Sequence, residues 1–93
     1  MQSLIEDDVE NICYMCGCYG DHLDVHHIFE GYGRRACSDR RGLIVHLCRG
    51  CHSKLHDTSC PDMQILHEIG QKAYEEHIGT REQFREEFTR SYL

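Results

Sequence analysis

Two Cys-x-x-Cys pairs, Cys13-Tyr14-Met15-Cys16 and Cys48-Arg49-Gly50-Cys51, bracket residues 17–47 of this chain. Nothing else in the sequence constrains the fold as strongly. Two residues between thiols let both sulfurs of a pair turn toward one ion, and two such pairs supply the four thiolates of a tetrahedral zinc. The competing first pair is Cys16 with Cys18, a spacing rarer at zinc, so Cys13 and Cys16 are preferred. Cys18, Cys37 and Cys60 are left over and read as free or buried thiols, since no base is fixed beside them. Seven cysteines could form a secreted disulfide scaffold, but the odd number and metal-like spacing favour ligands in a reducing compartment. With 93 residues the chain is one domain, 1–93, whose core is small enough for a metal staple to matter.

The pattern along the chain predicts a small α+β fold. Residues 1–12 form an acidic lead-in with one helical turn at most, and Cys13 to Gly20 a zinc knuckle turned by Gly17 and Gly20. Leu23 to Ile28 leans toward β structure, and Glu30 to Gly42, with Gly31, Gly33 and four arginines, reads as a loop. Leu43 to Leu47 is the clearest strand, β-branched and apolar after Gly42. Arg49 to Asp57 is a short helix, and together residues 13–57 make a zinc-bracketed core. Residues 58–93 are helical: Ser59 or Asp62 caps a helix to about His77 with Ile65, Leu66, Ile69 and Ala73 on one face. Gly79 ends it, Thr80 and Gln83 match a capping box, and Phe84, Phe88 and Tyr92 form an aromatic stripe that packs over the core.

Four histidines fall beside the cysteine pairs. His52 and His56 share one helix face, whereas His26 and His27, adjacent on a strand, point to opposite sides. One of the adjacent pair can complete a metal site with His52 and His56 while the other approaches a substrate from another direction. Three imidazoles leave coordination positions for water and a phosphate oxygen, and the remaining imidazole can take a proton from attacking water. An all-nitrogen donor set favours zinc, nickel or manganese over magnesium.

Val-His-His-Ile followed by Gly-Leu-Ile-Val-His-Leu-Cys-x-x-Cys-His-x-x-x-His resembles the HNH endonucleases. That family has a ββα-metal fold, a β-hairpin and a helix around one catalytic divalent ion. The zinc-bracketed arrangement is similar to small phage and prophage HNH proteins, and the tail segments Gly70–Tyr74 and Gly79–Phe84 extend the likeness over residues 13–93. The resemblance implies a ββα-metal motif stapled by a four-cysteine zinc site, with C-terminal helices packed on it. It implies His26, His52 and His56 as ligands of the catalytic metal, His27 as general base, and Cys13, Cys16, Cys48 and Cys51 as ligands of the structural zinc. The chain departs from the family at the middle asparagine that orients the base, whose position is held by Leu43. A backbone carbonyl, Asp24 or Glu30 is the expected substitute.

A net charge of −6 looks unsuited to DNA, but its distribution matters more. Between Gly31 and His56 stand Arg34, Arg35, Arg40, Arg41, Arg49 and Lys54 against a single acid, Asp39. Such a strip can contact phosphates by charge and bidentate hydrogen bonds. The expected function is metal-dependent hydrolysis of DNA phosphodiester bonds. The alternatives are a catalytically inactive zinc-stapled module binding DNA or protein, and an adaptor whose acidic ends mimic DNA. One cutting site nicks one strand, so a double-strand break needs a homodimer or two events. No apolar run is long enough for a membrane span and the acidic N-terminus is unlike a signal peptide, so the expected location is the cytoplasm, that of a bacterial host if phage-encoded.

Overall fold

A computed structural model describes residues 3–30, 33–56 and 60–93. Two short strands, β1 (Asp24–His27) and β2 (Ile44–Leu47), pair antiparallel with His26 opposite Val45 and His27 opposite Ile44. Every residue of β2 is buried: Ile44, Val45 and Leu47 by their apolar character, His46 by its pairing with Asp8. The chain order is β1, α1 (Arg34–Arg41), β2, α2 (Arg49–Leu55), α3 (Asp62–His77) and α4 (Arg81–Phe88). The fold is therefore small α+β, with a hairpin, four helices and a four-cysteine cluster at its strand and helix ends.

The segment expected as a loop, Glu30 to Gly42, instead contains α1. Gly33 (φ 80°) and Gly42 (φ 71°) bracket it in left-handed conformations, and the Gly42 N–H closes the last turn on the Asp39 and Ser38 carbonyls. Buried Ser38 ties both ends of the excursion to the hairpin: its hydroxyl accepts from the Phe29 N–H at 3.0 Å and donates to the Leu43 carbonyl at 3.2 Å. An eight-residue helix is stabilised mainly by such tertiary contacts, which composition does not reveal.

From Ser3 on, the N-terminal lead-in makes a single turn, with Asp8 N–H on the Ile5 carbonyl at 3.1 Å. It lies along the open edge of β2, with Leu4 N–H on the Gly42 carbonyl at 2.7 Å and Ser3 Oγ on the Ile44 carbonyl at 2.5 Å. Asp8 accepts from the His46 N–H at 2.8 Å and sits 2.6 Å from His46 Nδ1, and Tyr14 N–H reaches the His46 carbonyl at 2.8 Å. These groups satisfy a sheet edge that would otherwise be bare.

The C-terminal helices close the core from the other side. Leu66, Gly70, Gln71 and Tyr74 form the buried stripe of α3, so the expected apolar face is rotated and Ile65 is half exposed. Gly70 sets that rotation, because a Cβ there would lie 2.9 Å from Ile28 Cγ2 and 3.0 Å from Phe29 Cε2. Pro61, not Asp62, occupies the N-cap of α3, and Ser59 lies outside the described residues. The Thr80–Gln83 capping box is present in full. Phe29 meets Phe84 (5.1 Å), Phe88 (4.8 Å) and Tyr92 (5.3 Å). Burying each such phenyl ring contributes roughly 2–3 kcal/mol. Among the described residues no helix is long and apolar enough to cross a membrane.

Candidate metal centres and groove

Cys13 and Cys16 stand on a knuckle turned by Gly17 (φ 78°), whose N–H bonds the Cys13 carbonyl at 2.9 Å. Cys48 caps α2 through its sulfur, which accepts from the Cys51 N–H at 3.5 Å, so both thiols of that pair share one turn. The four sulfurs all lie within 4.8 Å of one another, and Cys16 Sγ is 3.8 Å from Cys48 Sγ. Tetrahedral zinc with Zn–S near 2.3 Å places sulfurs about 3.8 Å apart, so the donor set fits a structural zinc. Burial opposes ionisation of Cys13, but N–H donors of Cys16, Cys48 and Met15 outweigh it and bring its thiol down to about 6. Burial and the crowding of Cys48, Cys13 and Cys16 push the Cys51 thiol up. Four thiolates at this distance need a cation to coexist. Cys18 is exposed, and its thiol is raised to about 12 chiefly by its contact with Cys16.

The second cluster lies along the same helix. Donor atoms of His26, Glu30 and His52 fall within 4.8 Å of one another. His26 has no exposed surface, and neither ring nitrogen has a hydrogen-bond partner among the described residues. Glu30 Oε1 stands 3.5 Å from its Nδ1, within ion-pair range but without a hydrogen bond. Burial, then the neighbouring imidazoles of His52, His56, His27 and His67, lowers the His26 pKa to about 4. A neutral imidazole with orphaned nitrogens is what a metal ligand requires. This grouping is a candidate second metal site, and Glu30 joins it where the sequence pointed to His56. His56 is exposed at the C-cap of α2, its ring 5.3 Å from that of His52.

His27 faces away from His26, as alternation along a strand dictates. Its Nε2 lies 3.1 Å from Asp39 Oδ1 on α1. Asp39, the only acid within the basic strip, is thus the carboxylate beside His27, where the expected partner is a carbonyl, Asp24 or Glu30. Asp24 instead contacts Arg49 and His52 Nδ1, each at 3.0 Å. Its carboxyl is held below the usual range by His52 first and Arg49 next, against some burial. A groove of about 370 Å³ runs between Val25, His27, Glu30, Arg35, His52 and His56.

The six basic residues do not act as one strip. Arg35 borders the groove beside His27. Arg41 and Arg49 make ion pairs at 3.0 Å, with Glu87 and Asp24, and Arg34 reaches the Tyr92 hydroxyl at 3.4 Å. Arg40 donates to Cys37 Sγ at 3.2 Å, while Lys54 lies on the exposed side of α2. Glu30 beside His26 and His52, and Asp39 beside His27, are the placements that sequence reasoning missed. Asp39 carried a visible signal in its isolation among arginines, and Glu30 carried none beyond its place four residues after His26. Comparison of the chain with family models, curated proteins and solved structures gave no match.

Proposed function

We propose that this chain is a metal-dependent endonuclease of the HNH type that hydrolyses DNA phosphodiester bonds. One observation carries the reading. A buried His26, unpartnered among the described residues, clusters with Glu30 and His52, which line a groove that also holds a carboxylate-braced His27. Four sulfurs close the knuckle against the start of α2 and so fix the helix that carries His52. His26, Glu30 and His52 would hold the divalent ion, with His56 one helical turn further along the groove wall. When bound, that ion supplies positive charge against the negative charge developing on the phosphate and the leaving 3′ oxygen. Asp39 occupies Nε2 of His27, which leaves Nδ1 to take the proton of the attacking water. Arg35 meets a non-bridging phosphate oxygen from the α1 side. One carboxylate among two imidazoles widens the metal choice toward manganese compared with an all-nitrogen set.

Nicking of supercoiled plasmid with Mn2+, Ni2+, Zn2+ or Mg2+, beside His27→Ala, tests the reading. The expected result is metal-dependent conversion to open circles that falls by about 10²- to 10⁴-fold in the variant. Zinc-loaded protein that cleaves with none of these metals would sink the proposal. Cleavage undiminished in His27→Ala would remove His27 as the base.

A further inference from the structure

We infer that Asp24 is a positioning residue that commits Nδ1 of His52 and thereby presents Nε2 to the groove. The inference rests on the proposed metal site but makes its own claim about the ring. Asp24 opens β1 opposite Leu47, the residue before the α2 N-cap. That register brings its carboxylate against the first turns of α2. Oδ2 lies 3.0 Å from His52 Nδ1 and 3.0 Å from Arg49 Nε, and Oδ1 lies 3.4 Å from Arg49 Nη2.

The chemistry of these partners fixes the proton. A carboxylate paired with guanidinium can only accept, so His52 must donate from Nδ1. An imidazole with Nδ1–H carries its lone pair on Nε2, and a metal ligand needs that lone pair. Arg49 grips the same carboxylate through two nitrogens, which keeps it from swinging away from His52. Both partners sit next to zinc ligands in sequence: Arg49 follows Cys48 and His52 follows Cys51. The same short helix and its N-cap therefore deliver two of the four sulfurs to one centre and the oriented imidazole to the other. Among the described residues His26 has no comparable brace, since its contact with Glu30 is 3.5 Å and makes no hydrogen bond.

Two measurements on the full, zinc-loaded chain decide the matter. The first is 15N-detected imidazole tautomer of His52 without added metal, in wild type and Asp24→Ala. The second is Mn2+ affinity by electron paramagnetic resonance, in wild type, Asp24→Ala, Arg49→Ala and His26→Ala. The expected result is an Nδ1–H tautomer in wild type that is lost in Asp24→Ala. Mn2+ binding should weaken about 10- to 100-fold in Asp24→Ala with zinc content unchanged, and much less in Arg49→Ala, where the carboxylate still faces His52. An Nε2–H tautomer in the wild type overturns the inference whether or not any variant folds. So does an Asp24→Ala protein with unaltered tautomer and Mn2+ affinity. Failure of the functional reading looks different: Mn2+ then binds wild type and His26→Ala alike, while the tautomer still reports on Asp24.

Discussion

The two donor clusters share α2 but are built on opposite terms. The four-sulfur cluster is complete in itself: every donor comes from the protein, and Cys13 is buried beneath it. The imidazole–carboxylate cluster has three donors and opens on a groove of about 370 Å³. Zinc sites that hold shape are closed, while sites that do chemistry keep positions for water or substrate. A single short helix serving both lets the closed site act as the mould for the open one.

Emptying the four-sulfur cluster of the zinc it fits should break this comparison most severely. Cys48→Ser, or a thiol-competitive chelator, should remove on the order of 10 kcal/mol of stabilisation. Circular dichroism should then show the loss of the native fold, with Mn2+ binding lost alongside it. The converse asymmetry should hold: His52→Ala leaves zinc content and the melting profile nearly intact.

Acid sharpens the contrast from the second site. His26 is depressed to about 4 in the folded chain, against an ordinary value of 6.5. Below 6.5 the unfolded chain takes up a proton that the folded chain refuses, so stability falls as pH drops from about 6.5 to 4. The difference amounts to roughly 3 kcal/mol. His67 is shifted the same way, chiefly by burial, and adds to the loss. Denaturant midpoints across this range, compared with His26→Leu, isolate the His26 share. A slope equal in both proteins would refute the assignment.

Asp39→Asn should lower kcat by about 10- to 100-fold with Mn2+ affinity unchanged. An equal loss of metal binding would merge the two roles that the proposed reading assigns to His27 and to the donor cluster. The smallest effect concerns charge. Arg35→Ala should weaken DNA binding and reduce the salt slope by about 1, whereas Arg41→Ala, already paired with Glu87, should leave the slope unchanged.

The cysteine pairs were legible because a metal site writes itself in short, local spacing. Both strands and the Thr80 capping box were legible for the same reason. The carboxylates were not. Glu30 reaches His26 across an irregular turn, and Asp39 reaches His27 only because a helix interrupts the hairpin. That helix depends on Ser38 bridging Phe29 and Leu43, which no local periodicity announces. Asp8 on His46 is a pairing across 38 residues, invisible until the N-terminal segment is laid along β2.

Glu87 on α4 takes hydrogen bonds from both Tyr74 of α3 and Arg41 of α1. Two residues before Arg41, the same short helix carries Asp39 to His27. Three helices are thus surveyed from one benchmark, and the bearing of the groove imidazole is taken from it. A lesion at Glu87, remote from both donor clusters, would be felt as misalignment: both clusters intact, but the imidazole off its mark.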